Sequence, residues 1–189
     1  MSTITGVDGK ERCPWAGTDA EYLRYHDEEW GVPLHGDQQL FEKLSLEGFQ
    51  AGLSWITILR RRPAFRKAFL DFDIRRVAAM TPADADDLML DAGIIRNRAK
   101  IEATISNARI TLELAGGLDA LMWGFAPPPR AAHLTDSSQI PAVTPESTAM
   151  SAALRGLGFK FVGPTTMYAL MQSGGMVDDH LAGCWRAER

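Results

Sequence analysis

Apolar residues recur along this chain at helical spacing and rarely alternate, the pattern of helices rather than strands. Thr18-Asp19-Ala20-Glu21 has the form of a capping box and predicts a helix over 19–29, with Tyr22, His26 and Glu29 on one side. Asp37 is expected to cap a second helix whose buried face carries Leu40, Phe41, Leu44 and Leu46. Ser54 opens a short helix to 61, Pro63 another to 70, and Asp73 a third to 80. Thr81-Pro82-Ala83-Asp84 starts a helix ending near 91. A tight turn over 91–96 leads to a long helix over 97–114, which Gly116-Gly117 stops. A short helix over 118–125 precedes Pro127-Pro128-Pro129, which cannot be helical, and a long loop to 144. Helices over 145–156 and 164–173 and a last helical turn over 180–184 complete an all-α reading. It comprises one domain over 12–189 behind a flexible tail, 1–11.

One stretch breaks the pattern. In Glu47-Gly-Phe-Gln-Ala-Gly-Leu-Ser-Trp55 a carboxylate appears where the apolar face should continue. An unpaired buried charge is costly, so Glu47 needs a partner or a task. Gly48 and Gly52 would let a flat group approach the backbone, and Trp55 offers a stacking face. The plainer alternative is a solvated glutamate beside a turn.

Composition narrows the class. The chain has 189 residues, 46% hydrophobic and 23% charged, enough for one soluble domain with a proper core. No run reaches membrane-spanning length, no signal peptide is evident, and a cytoplasmic location without membrane contact is expected. The net charge of −4 argues mildly against nucleic acid. Local basic stretches, from Arg60 to Arg76 and at Arg96, Arg98 and Lys100, argue the other way.

Three groupings could carry chemistry. Two cysteines and two of the four histidines, Cys13 with His26 and His180 with Cys184, suit a closed four-ligand zinc site joining the chain ends. Inert buried cysteines beside unrelated histidines would give the same spacing. Helix, glycine turn and basic helix over about 82–114 form a helix-hairpin-helix pattern, whose backbone N–H groups at Gly93 and side chains of Arg96, Arg98 and Lys100 could hold a phosphate; a plain helical corner is the alternative. Trp15, Tyr22, Tyr25, Glu47 and Trp55 supply the stacking faces and hydrogen bonds that a flipped base needs, although aromatics are more often core.

Longer motifs tip the balance. Glu-Arg-Cys-x-Trp at 11–15, Tyr-His-Asp-x-Glu-Trp-Gly-Val-Pro at 25–33 and Leu-Glu-Gly-x-Gln-Ala-Gly-Leu-Ser-Trp-Ile-Thr at 46–57 stand in order. Asp-Ala-Gly-Ile-Ile-Arg at 91–96, Gly-Phe-Lys-Phe-Val-Gly at 158–163 and Asp-His-x-x-Gly-Cys at 179–184 follow them. Together they resemble the bacterial type I 3-methyladenine DNA glycosylases, from Arg12 to Cys184. The resemblance implies a helix-hairpin-helix glycosylase fold with one structural zinc on Cys13, His26, His180 and Cys184. It implies that Glu47 and Tyr25 hydrogen-bond the excised base, that Trp55 stacks on it, and that Trp15 and Tyr22 wall the pocket. Leu53 would enter the gap left in the duplex. The expected partner is double-stranded DNA containing alkylated bases, and a monomer is the simplest reading. No lysine suggests a lyase step. Asp119, the one acid near where many relatives of the superfamily keep a catalytic Asp, is read as a helix-end residue. Phe49, in place of a polar residue found in some relatives, is expected to alter pocket width. Competing readings are a damage-binding protein that releases no base and a zinc-stapled helical interaction module.

Overall fold

A computed structural model describes residues 2–187. Nine α-helices lie among the described residues: α1 (Ala20–Glu28), α2 (Asp37–Gln50), α3 (Trp55–Ala68), α4 (Ile74–Ala78), α5 (Pro82–Leu88), α6 (Arg98–Leu112), α7 (Gly117–Trp123), α8 (Pro145–Gly156) and α9 (Pro164–Ser173). No described helix is long and apolar enough to cross a membrane.

The helix α2 is the axis of the molecule. It packs against α3, α6, α7 and α9, and its residues from Leu40 to Phe49 are almost all buried. A helix enclosed on every side must be apolar on most of them, which is why Lys43 and Glu47 stand out on it. Beneath α2 and α3 the rings of Phe49, Phe65, Phe69 and Phe72 stack in series, with centroids 4.7 Å apart for the Phe49–Phe65 pair and 5.5 Å for Phe69–Phe72. That series contains Phe49, which is fully buried and does not line the pocket described below, so it cannot set the pocket's width as expected.

Capping explains most helix starts. Asp19 accepts from the backbone N–H groups of Glu21 and Tyr22, Thr81 and Asp84 form a reciprocal box, and Asn97 accepts from the Lys100 N–H. Asp37 was expected to cap α2 but is its first residue, and its carboxylate accepts instead from the Asp119 N–H of α7 at 2.9 Å. Asp119 returns the favour to the Gly36 N–H at 2.6 Å. Two helix starts thus cap each other, and the Asp119 carboxylate is committed to that structural task.

Four other expectations need correction. The chain before Arg12, read as a loose tail, carries an antiparallel hairpin of β1 (Ile4–Thr5) and β2 (Glu11–Arg12), because Arg12 reaches Asp8 at 2.7 Å and Asp27 at 2.7 Å and ties it down. The helices expected on either side of Pro63 are one, α3. The proline removes a backbone donor, yet Ile58, Leu59 and Phe65 on both sides are buried and hold the helix together. The 180–184 segment is a turn, not helix, closed by Cys184 N–H donating to the Leu181 carbonyl at 2.7 Å. Finally, the group approaching Gly48 is the chain's own Phe161, whose Cβ lies 3.4 Å from where a Gly48 Cβ would be.

Candidate active site and metal-ligand cluster

The end of α2 delivers Glu47 to the floor of a cavity of about 360 Å³. Trp15, Tyr22 and Tyr25 from the first segment line it, with Trp30, Trp55 from the start of α3, and Gln172 and Ser173 from the end of α9. Tyr25 and Trp55 sit with ring centroids 5.5 Å apart, and Trp15 meets Tyr22 edge-on at 5.4 Å. All five residues expected at a base pocket, Trp15, Tyr22, Tyr25, Glu47 and Trp55, are therefore brought together.

Glu47 is only 3% exposed. Its Oε1 accepts from the Ser173 hydroxyl at 2.8 Å. Burial pushes its carboxyl up to about 7, against the opposing pull of the Lys43 ammonium and the Ser173 hydroxyl. Burial first, and the charge of Glu47 second, raise the Tyr25 phenol well above its ordinary value, so it stays a neutral hydroxyl. The cavity thus presents a carboxylate poised near neutrality, two phenols and three indole rings.

Sequence reasoning missed five residues that line the cavity, and Lys43 beside it. Trp30 was quoted only within a motif. Ser173 and Gln172 lie at the end of a helix with no polar signature. Ser137 and Ile140 come from the segment read as a plain loop, where Asp136 and Gln139 cap a short 3-10 turn. Lys43, four residues before Glu47, looks in sequence like a solvated partner.

Beside the cavity, Cys13, His26, His180 and Cys184 converge with ligand atoms all within 4.8 Å of one another, every residue buried. Cys184 Sγ lies 3.5 Å from His26 Nε2 and 3.6 Å from His180 Nδ1, and Cys13 Sγ lies 3.8 Å from His180 Nδ1. The outward nitrogens are anchored: His26 Nδ1 donates to Asp27 at 2.8 Å and His180 Nε2 to the Trp30 carbonyl at 3.1 Å. Asp27 is held in turn by Arg12 and Trp185. This group can hold a metal ion, and its carboxylate and carbonyl supports are those that orient ligating histidines.

The model of the methyladenine glycosylase family matches residues 15–187. The chain belongs to that family. It is 47% identical over 177 residues to the DNA-3-methyladenine glycosylase of Haemophilus influenzae, covering 92% of this chain and 96% of that protein. It is also 47% identical over 178 residues to DNA-3-methyladenine glycosylase 1 of Escherichia coli strain K12, covering 92% and 95%. A crystal structure of a 3-methyladenine DNA glycosylase I superposes with a TM-score of 0.89 at 45% identity, over 92% of this chain and 98% of that one. A tyrosine-to-phenylalanine variant of a 3-methyladenine DNA glycosylase I, solved in complex with 3-methyladenine, gives a TM-score of 0.88 at 34% identity, over 94% and 98%.

The methyladenine glycosylase places the expected DNA-contacting residues unevenly. Leu53 is 42% exposed at the turn between α2 and α3. Gly93 donates its N–H to Asp91 at 2.7 Å, inside a turn that Arg61 braces by donating to the carbonyls of Ala92 and Gly93 at 2.8 and 3.1 Å. Arg96 is exposed. Arg98 pairs with Asp86 and Glu102. Lys100 does not fit a phosphate contact: it is buried, and its ammonium donates to the carbonyls of Phe49 and Ala51 at 2.9 and 2.7 Å. Those carbonyls end α2 without helical partners, so Lys100 serves the helix. In the basic stretch from Arg60, Arg60, Arg62 and Arg66 are likewise spent on Asp19, Glu29 and Glu42.

Proposed function

We propose that this chain excises 3-methyladenine from alkylated double-stranded DNA as a monofunctional glycosylase, working as a cytoplasmic monomer. The observation that carries the reading is the buried Glu47 on the floor of an aromatic cavity. An adenine methylated at N3 is cationic while attached to deoxyribose. Flipped into the cavity, it would stack on Trp55 between the walls of Trp15 and Tyr22. Its exocyclic amine would donate to Glu47, and Tyr25 would add a second hydrogen bond. A carboxylate in a low-dielectric site favours the charged base over neutral adenine. The glycosidic bond then breaks with its electron pair moving to the base, which leaves neutral. Water adds to the sugar carbon and gives up a proton. The leaving group needs little acid catalysis, in keeping with a site that holds no second free carboxylate among the residues lining it.

Leu53 is suitably exposed to fill the gap in the duplex. The α5–α6 corner, read as a helix-hairpin-helix, would receive a phosphate with help from Arg96 and Arg98, the Gly93 N–H being taken by Asp91. The Cys13, His26, His180 and Cys184 group fits zinc. With Zn–S and Zn–N bonds of about 2.3 and 2.0 Å, tetrahedral ligands lie about 3.5 Å apart, close to the spacings found. Four protein ligands leave no open position, so zinc there would serve structure, not chemistry.

A ligand titration tests the pocket. Free 3-methyladenine should quench tryptophan fluorescence saturably, and Glu47→Gln, which weakens the acceptor for the exocyclic amine, should bind it at least tenfold more weakly. Equal affinity of the parent and Glu47→Gln for the free base would overturn the assignment.

A further inference from the structure

Lys43 lies one helical turn before Glu47 and is only 9% exposed. Its ammonium sits 5.2 Å from the Tyr25 ring centroid and 5.4 Å from that of Trp55. It does not line the base cavity. It lines a second cavity, of about 230 Å³, on the other side of the same wall, and Ser173 borders both. Of the acids lining that cavity, Glu29 pairs with Arg62 by two hydrogen bonds, Glu42 pairs with Arg66 at 2.8 Å, and Glu28 is exposed to solvent. Lys43 is therefore the cation available to Glu47, and the remaining groups facing Glu47 from α1 and α9, Tyr25 and Ser173, are neutral.

We propose that Lys43 is a positioning residue for this pocket, a buried counter-charge placed behind the aromatic wall so that Glu47 meets the flipped base as a carboxylate. An ammonium inside the cavity would repel a cationic base. Behind Tyr25 and Trp55 it supports Glu47 while the rings stand between it and the ligand. The same placement sets its ammonium against both rings. Burial opposes charge on Glu47, and Lys43 and Ser173 oppose that effect, with Lys43 the larger influence.

The proposal rests on base excision as the function, and the test separates the two. Release of 3-methyladenine is measured from pH 5 to 9 for the parent, Lys43→Met, Lys43→Gln and Lys43→Arg. Loss of the charge should move the acid limb of kcat/KM upward by about a unit, a loss of roughly fivefold at pH 7 that closes by pH 9. Lys43→Arg should keep the parental limb. If Lys43→Met does not fold, Lys43→Gln removes the same charge with a polar tip. Charge-neutral variants whose profiles superimpose on the parent, or fall by one factor at every pH, would overturn the role of Lys43 while leaving the function intact. No base release from the folded parent would instead overturn the function.

Discussion

Glu47 is a carboxyl that the fold takes out of water at the cavity proposed to receive the base. Burial raises it to about 7, so it is neutral below that pH and charged above. Selection of a cationic base needs the charged form. Excision, measured as kcat/KM, should therefore rise about tenfold per pH unit below 7 and level off above it. Glu47→Gln keeps the shape, loses the charge, and should leave a low, flat profile. A parental limb in that variant would mean that another group titrates. Glu47 was legible in sequence because a carboxylate on an apolar helix face is an anomaly. Lys43 and Ser173 were not, since a lysine four residues from a glutamate usually marks a solvated face, and a serine ending an apolar helix carries no signal.

Between α2 and α6 the decisive contact is a lysine used as a cap. Lys100 closes the carbonyls of Phe49 and Ala51 and so fixes the turn that carries Leu53. Lys100→Met should leave both carbonyls short of a donor and cost roughly 2–3 kcal/mol in denaturant unfolding. The salt dependence of DNA binding should stay unchanged. Arg96→Ala is expected to do the reverse, with stability within about 0.5 kcal/mol and a salt slope lower by about 1. If Lys100→Met altered the slope while stability held, Lys100 would be a phosphate contact after all. In sequence, Arg96, Arg98 and Lys100 look alike as one basic run. The helix start at Thr81 was readable because caps are local, whereas at α1 Asp19, not the expected Thr18–Glu21 box, accepts from the Glu21 and Tyr22 N–H groups. The helix through Pro63 was not, because burial on both sides of the proline is a tertiary effect.

Across the whole molecule the ligand cluster joins residues 13–26 to residues 180–184, closing nearly the entire chain into one loop. Trp30 connects it to the pocket: its ring lies 4.6 Å from His180 and 5.0 Å from Trp15, and it lines the cavity itself. The proposed zinc is tested with a chelator, which should lower the melting temperature and weaken 3-methyladenine binding together, and added zinc should restore both. A chelated protein that melts and binds unchanged would reduce the cluster to packed thiols and imidazoles. The pairing of chain ends was suggested by four residues and a resemblance. The hairpin of β1 and β2 that also ties the first residues down depends on Arg12 meeting Asp8 and Asp27, a convergence no local pattern announces.

Incubation with duplex DNA treated with a methylating agent, and chromatography of the released bases, tests the central claim most directly. The expected result is free 3-methyladenine without 7-methylguanine and without strand cleavage, falling to near background with Glu47→Gln. A folded, metal-loaded protein that releases no base, or a Glu47→Gln variant that releases it at the parental rate, would contradict the assignment.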